Sequence, residues 1–210
     1  MDLISARKAM VDSQVRTSDV TDIAIHKAML ETRREEFCEP DRAFSAYADA
    51  TVPIKNGRSL MQAREVAKLL QALRPRPGER ALALAAPYAA ALLARMGLEV
   101  QAQEADGAVA AVVEPALVEA GVTQVVGDLS EPVGSDWDVV ICEGAVGDAP
   151  AAWLKALKPG GRLALVERDG PVGHARLFVR AASGVVSSRD LFDATPPMLA
   201  GFEKRPTFAL

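Results

Sequence analysis

From residue 80 onward, short apolar segments alternate with segments of helical periodicity. Alternation of this kind predicts a mainly parallel sheet whose right-handed crossovers place helices against its faces. Two further segments, 175–180 and 184–188, predict an antiparallel hairpin at one edge of that sheet. The predicted parallel strands cover residues 82–85, 98–103, 123–126, 138–142 and 162–167.

The first 79 residues lack this alternation. Residues 3–36 are predicted to form helices, and residues 37–49 an irregular packed segment. Apolar side chains at helical spacing over residues 60–73 predict an amphipathic helix, which the prolines that follow end. We therefore expect a helical N-terminal extension, residues 1–79, packed on an α/β core of residues 80–210 as one structural unit.

Two predicted helices of the core contain or precede residues that disfavour helical backbone. Residues 107–120 have helical periodicity, but Pro115 lacks a backbone N–H and is expected to break or kink the helix. Residues 150–157 are predicted to form a short helix that the Lys-Pro-Gly-Gly segment at 158–161 ends. The strands are therefore expected to be connected by short helices.

Composition excludes several classes of protein. The 210 residues carry a net charge of −4 with both signs interspersed, so no nucleic-acid-binding face is predicted. Arg33 and Arg34 precede two glutamates and are predicted to lie at a solvated helix end. Cys38 and Cys142 are too far apart for a disulfide framework or a metal site, which favours a reducing, cytoplasmic location. The uncharged run 81–94 is too short to span a membrane, and no signal peptide is predicted.

The turn after the first core strand lacks the glycines that usually occur there. Residues 85–90 read Ala-Ala-Pro-Tyr-Ala-Ala. In nucleotide-binding α/β proteins, glycine at this turn permits positive φ and leaves no Cβ to strike the ligand. Proline fixes φ and removes an N–H donor. The sequence therefore predicts a turn that is poorly suited to a nucleotide cofactor.

Four segments resemble a known family. Residues 10–16 read MVDSQVR, 46–49 read AYAD, 57–62 read GRSLMQ and 157–163 read LKPGGRL. In this order and spacing they resemble the protein-L-isoaspartate O-methyltransferase family, which has the S-adenosylmethionine-dependent methyltransferase fold. The resemblance covers nearly the full chain and implies a three-layer, Rossmann-like sheet. It also implies methyl transfer from S-adenosylmethionine to isoaspartyl carboxylates of proteins or peptides.

The resemblance implies where the cofactor S-adenosylmethionine would bind. Ala85, Ala86 and Tyr88 stand in the loop that passes under the cofactor in the family. Glu104, at the end of the second core strand, matches the acidic residue that binds the ribose hydroxyls. Asp128, after the third core strand, matches the acidic position on the adenine side. These five residues are the candidate cofactor-binding residues.

Ser59 is the candidate catalytic residue that the resemblance implies. It stands at the family's threonine position, where the methyl donor meets the isoaspartyl substrate. Met61 stands where the family has a serine, and a methionine cannot donate a hydrogen bond to a carboxylate. Two functions remain open: an enzyme that methylates isoaspartyl carboxylates, and a non-catalytic pseudo-methyltransferase that uses the scaffold to bind proteins.

Overall fold

The protein has an α/β fold in which helices pack on a central sheet. A computed structural model describes residues 2–204. Its strands are β1 (Val52–Lys55), β2 (Arg58–Leu60), β3 (Arg80–Leu84), β4 (Glu99–Glu104), β5 (Thr123–Val126), β6 (Trp137–Val146), β7 (Leu157–Arg168), β8 (Gly173–Arg180) and β9 (Val186–Ala194). β1 and β2 form a separate antiparallel hairpin, and the other seven strands form one sheet in the order β5-β4-β3-β6-β7-β8-β9. From β5 to β7 the neighbours run parallel, whereas β8 and β9 are antiparallel. The predicted fold class is thereby confirmed.

The helices begin with recognisable capping residues. Asp2, Asp22 and Asp106 each precede a helix, and their carboxylates accept N–H groups of its first turn. Pro87 begins another helix, at a position where the missing N–H would have had no partner. The helices are α1 (Leu3–Met10), α2 (Ile23–Glu31), α3 (Ala63–Leu73), α4 (Pro87–Arg95), α5 (Gly107–Glu119) and α6 (Ala151–Lys155).

Pro115 does not break its helix, because α5 runs without interruption from Gly107 to Glu119. That it kinks the helix stays a prediction. Pro115 and Ala111, four residues earlier, both lie on the exposed side of α5. The carbonyl group of Ala111 that loses its helical partner therefore faces water, which can satisfy it.

Three other predicted boundaries differ from the structure. The strand predicted at 138–142 is longer, since all ten residues of β6 are buried between two layers. The segment 158–161, predicted to end a helix, lies within β7, where a register shift against β6 accommodates it. Leu60 belongs to β2 rather than to the amphipathic helix, which begins at Ala63.

Buried apolar side chains cover both faces of the sheet. Alternate residues of β3 separate into two clusters, with Ala81 and Ala83 in one and Leu82 in the other. The first cluster also contains Met10 and other residues from the first 79 positions. The second is built around Trp153 and includes Val140 of β6 and Leu163 of β7, on the opposite face of the sheet. The division at residue 79 stays a prediction, but one core joins the two segments.

No helix within residues 2–204 combines the length and the apolar character needed to cross a membrane.

Candidate functional site

The turn between β3 and α4 lies at the carboxyl edge of the sheet, where parallel sheets bind ligands. Ala85 adopts φ +49°, a left-handed conformation that favours glycine, and its N–H donates to the carbonyl oxygen of Gln103 at 2.8 Å. The carbonyl of Ala86 accepts the N–H of Ala90 at 2.9 Å and begins α4. Both Ala85 and Ala86 are buried. The turn therefore keeps a backbone conformation typical of glycine while carrying a methyl group at each position.

Glu104 ends β4 and is already bound by donors of the protein. Its Oε1 accepts the N–H of Ala105 at 2.9 Å, and its Oε2 accepts Nε of Arg58 at 3.2 Å. The side chains of Glu104 and Arg58 are only 6% and 13% exposed. The acidic residue predicted to face a cofactor is therefore part of a shielded ion pair.

Arg58 contacts three strands at the carboxyl edge of the sheet. It begins β2 and reaches over the carboxyl edge of the sheet, where Glu104 ends β4. Its Nη2 donates to the carbonyl oxygen of Ala85, just after β3, and its Nη1 lies 3.5 Å from the carbonyl oxygen of Glu143 in β6. The β1–β2 hairpin thus places one guanidinium across the edge that a ligand would occupy.

Glu143 occupies the amino end of α4. Its side chain is fully buried, and its Oε1 accepts the N–H of Ala89, the third residue of the helix, at 2.6 Å. Its Oε2 has no hydrogen-bond partner among the described residues. Burial raises the pKa of Glu143, against the opposing effects of the Ala89 N–H and the guanidiniums of Arg34 and Arg58. The helix end that attracts anions is therefore occupied by a carboxylate of the chain itself.

Arg34 and Tyr88 lie beside this carboxylate. Arg34 is fully buried, so the prediction of a solvated position is wrong for it. Its Nε donates to the carbonyl oxygen of Ala46 at 2.8 Å, its Nη2 donates to that of Met61, and its Cζ lies 4.6 Å from the centroid of the Tyr88 ring. Tyr88 also packs edge-on against Phe37 at 5.6 Å, and burial raises the pKa of its hydroxyl. Tyr88 therefore contacts the N-terminal extension.

Ser59 and Asp128 lie at the borders of this cluster. Ser59 is half-buried in β2, opposite Pro53. Asp128 is exposed, and its Oδ1 accepts the N–H of Ser130 at 2.8 Å, which holds the pKa of Asp128 below its ordinary value. Its carbonyl oxygen accepts Nε2 of Gln103 at 2.8 Å. That Ser59 is catalytic and that Asp128 binds a cofactor stay predictions.

A small cavity adjoins Glu104 among β4, α4 and α5. The cavity between it and the start of α4, lined by Ala86, Pro87 and Gln124 among others, has a volume of about 10 Å³. A cavity of this size holds at most about one water molecule.

Cys142 precedes Glu143 in β6 and is fully buried. Burial raises its pKa to about 12, so the thiol is neutral at pH 7 and is no nucleophile.

The sequence analysis did not identify Arg58 or Glu143 as residues of this edge. For Glu143 a signal exists, since one glutamate interrupts the continuous apolar run of β6. An ionisable residue at a wholly buried strand position needs a partner and suggests a functional or structural cluster. Arg58 lies within the segment 57–62, but nothing in the local pattern indicates where its side chain points.

Comparison with known proteins identifies the family. The model of the family described as protein-L-isoaspartate(D-aspartate) O-methyltransferase matches residues 5–191. The chain belongs to this family. A protein-L-isoaspartate O-methyltransferase of Methylorubrum extorquens is 34% identical over 199 residues, which cover 92% of this chain and 85% of the relative. A protein-L-isoaspartate O-methyltransferase of Koribacter versatilis is 32% identical over 194 residues, covering 89% and 87%.

Solved structures of the family agree in fold. A putative protein-L-isoaspartate O-methyltransferase from Plasmodium falciparum, in complex with S-adenosyl-L-homocysteine, superimposes with a TM-score of 0.79 at 15% identity. The superposition covers 92% of this chain and 97% of that one. Another protein-L-isoaspartate O-methyltransferase gives a TM-score of 0.78 at 22% identity, covering 95% of this chain and 66% of that one. At such identities the likeness concerns the fold alone.

Proposed function

We propose that this member of the protein-L-isoaspartate O-methyltransferase family is a non-catalytic relative that keeps the methyltransferase scaffold to bind proteins. The observation that carries the proposal is the Arg58–Glu104 ion pair. In the family resemblance Glu104 is the ribose-binding carboxylate. Here it is bound by a side chain of the same chain, so a ribose would have to displace a shielded ion pair.

The amino end of α4 supports the same interpretation. A helix N-terminus favours an anion, and the turn before it would face the methionine end of S-adenosylmethionine. In this chain the carboxyl group of Glu143 accepts the N–H of Ala89 there, from within the core. Ala85 and Ala86 add methyl groups where the family pattern has glycines. We infer that the residues in this arrangement do not fit S-adenosylmethionine, because Arg58 and Glu143 occupy its expected contacts.

The second candidate is methyl transfer to isoaspartyl carboxylates, with Arg58 as a residue that must first move. The observation that favours it is the position of Arg58 next to Gly57, in the tight turn of a two-stranded hairpin. Such a turn is exposed and can shift without unfolding the sheet. The relatives named protein-L-isoaspartate O-methyltransferase support methyl transfer as the activity to test.

A methyl-transfer assay separates the two candidates. Radiolabelled S-adenosylmethionine and an isoaspartyl peptide are incubated with the wild type, with Arg58→Ala and with Arg64→Ala, whose side chain forms an exposed ion pair with Asp49. The non-catalytic proposal expects no transfer above background from any of the three proteins. Transfer by Arg58→Ala but not by the wild type would show that Arg58 blocks an otherwise competent site. Transfer by the wild type would overturn the non-catalytic proposal and establish the movable-arginine candidate.

A further inference from the structure

Two surface grooves meet at the edge of the sheet opposite the candidate site. Their volumes are about 470 Å³ and 490 Å³, and they share Ala72, Arg74 and Arg189 as lining residues. The first runs between α3 and β9, and the second reaches Asp138 and Arg162, near the amino ends of β6 and β7. We refer to the two together as the α3–β9 groove. It is separate from the carboxyl edge that carries Glu104.

Four cationic side chains that have no ion-pair partner within residues 2–204 line the α3–β9 groove. Lys68, Arg74, Arg76 and Arg189 belong to its walls. Among residues 2–204, none of these four side chains forms a salt bridge or donates a hydrogen bond. In a chain with a net charge of −4, the groove is therefore a local source of positive potential.

The acidic side chains of the groove do not neutralise these cations. Glu79 accepts Nη2 of Arg162 at 2.7 Å, and Asp138 is bound by Lys158. Asp22 accepts the N–H of Ala24 at 2.8 Å and caps α2. Asp19 lies in the loop before α2, so the four cations outnumber the two carboxylates, Asp19 and Asp22, that have no cationic partner within residues 2–204.

Arg74 is held in an unfavourable backbone conformation. It caps the carboxyl end of α3 with φ +48°, where glycine is the usual residue. A non-glycine residue there strains the backbone. Its exposed side chain forms no salt bridge and donates no hydrogen bond within residues 2–204, so it is free to contact a ligand.

The groove also has an apolar floor. Leu191 and Phe192 of β9 line its first part, and Leu177 of β8 lines the second. The ammonium of Lys68 lies 4.1 Å from the centroid of the Phe192 ring. A partner that fits this surface carries acidic groups and apolar side chains together.

β9 is an edge strand with an open side. It pairs with β8 only, and no strand among the described residues covers its other side. Its own acidic residues are engaged, with Asp190 bound to Arg176 and Asp193 to His174. An open edge offers main-chain N–H and C=O groups to an added strand, which is a common mode of peptide recognition.

We propose that the α3–β9 groove binds an extended acidic segment of another protein, which adds as a strand to β9. Its carboxylates would pair with Arg74, Arg76 and Arg189, and its apolar side chains would cover Leu191 and Phe192. Arginine suits this role because its planar guanidinium matches a carboxylate with two parallel hydrogen bonds. The inference goes beyond the proposed function and holds whether or not the chain transfers methyl groups.

A protein segment fits this surface better than a nucleic acid. The basic patch is short, and the rest of the chain is acidic, which repels a long polyanion. The floor is made of aliphatic and aromatic side chains that an alternating acidic and apolar peptide would cover. Nucleic-acid binding is therefore treated as an outcome that contradicts the proposal.

Fluorescence anisotropy with a labelled peptide of alternating glutamate and leucine tests the proposal. The wild type is compared with Arg74→Gly plus Arg189→Ala; glycine accepts the φ of Arg74, so the double variant is expected to fold. The control is Arg33→Ala plus Arg42→Ala, which removes the same charge near the other end of the sheet. Loss of two exposed carboxylate contacts is expected to weaken binding about tenfold, while the control binds like the wild type.

Two further probes separate strand addition from general attraction. The same peptide with alternate backbone amides methylated keeps its charge but cannot pair with β9, and is expected not to bind. Amide hydrogen exchange of residues 186–194 is expected to slow when the unmethylated peptide is bound. Equal weakening in the control variant, binding of the methylated peptide, or tighter binding of an oligothymidylate of equal charge would each overturn the proposal, as would no binding by the wild type.

Discussion

Three residues define the contacts at the carboxyl edge of this sheet. Ala85 has the backbone conformation of a glycine, Arg58 covers the carboxylate of Glu104, and Glu143 takes the helix end. The missing glycines of the turn can be read directly from the sequence. The contacts of Arg58 cannot, because they depend on how the β1–β2 hairpin packs over the sheet.

Ala85 and Ala86 form a matched pair for testing the strained turn. Both are buried, but only Ala85 has positive φ, since φ of Ala86 is −130°. Glycine at 86 loses a buried methyl group and should lower the free energy of unfolding by about 1 kcal/mol. Ala85→Gly loses a methyl group too but also relieves backbone strain. This variant should therefore be more stable than Ala86→Gly by about 1 kcal/mol. Urea unfolding measures both, and equal losses would contradict the strained turn.

Arg58 should also matter for stability. Arg58→Met removes the cation that pairs with the buried carboxylate of Glu104. The unpaired charge should lower the free energy of unfolding by about 2 kcal/mol. Adding Glu104→Gln removes the unpaired charge and should recover at least half of this loss. Denaturant unfolding of the two single variants and the double variant gives the coupling energy. Additive effects would mean that the Arg58–Glu104 contact is absent in solution.

At the scale of secondary structure, the alternating pattern predicts the parallel strands well, and their ends poorly. β6 extends past its predicted end because residues on both faces are buried, which local sequence does not reveal. Pro115 stays inside α5 because the freed carbonyl faces solvent. In both cases the environment of the element, rather than its own residues, decides where it ends.

The carboxyl end of α3 is held by a charged contact that depends on pH. Arg162 donates to the carbonyl oxygens of Leu73 and Arg74 and forms two hydrogen bonds with Glu79. Burial opposes ionisation of Glu79, but the bonds from Arg162 and the N–H of Arg76 outweigh it and lower its pKa. Its ionised form therefore stabilises the fold above the pKa of the unfolded chain, and this stability is lost as pH falls through the lower folded value.

Glu79→Gln should consequently lower the free energy of unfolding at pH 7 by about 1 kcal/mol. Below about pH 4 this difference from the wild type should shrink as the pH is lowered. Glu99→Gln is the matched control, because Glu99 is exposed and its side chain accepts no hydrogen bond among the described residues. Thermal unfolding from pH 7 to pH 3 follows both variants. A destabilisation by Glu79→Gln that does not change with pH would contradict the role of its charge.

At the scale of the whole molecule, the family is evident from sequence, and the state of its cofactor site is not. The segments 10–16, 46–49 and 57–62 carry the resemblance, and the fold agrees with it. Whether a methyltransferase scaffold still holds its cofactor depends on a few contacts at one edge of the sheet. Those contacts involve residues from the hairpin, β3, β4 and β6 that are far apart in the chain.

Calorimetric titration with S-adenosyl-L-homocysteine tests the central claim most directly. Replacing two charge-assisted ligand contacts by contacts within the chain removes about two to four orders of magnitude in affinity. The Plasmodium falciparum protein, whose structure contains this ligand, is the positive control. We predict that the wild type gives no binding heat at ligand concentrations up to about 1 mM. A dissociation constant in the micromolar range would contradict the account, because it would mean that the ligand displaces Arg58 and Glu143 at little cost.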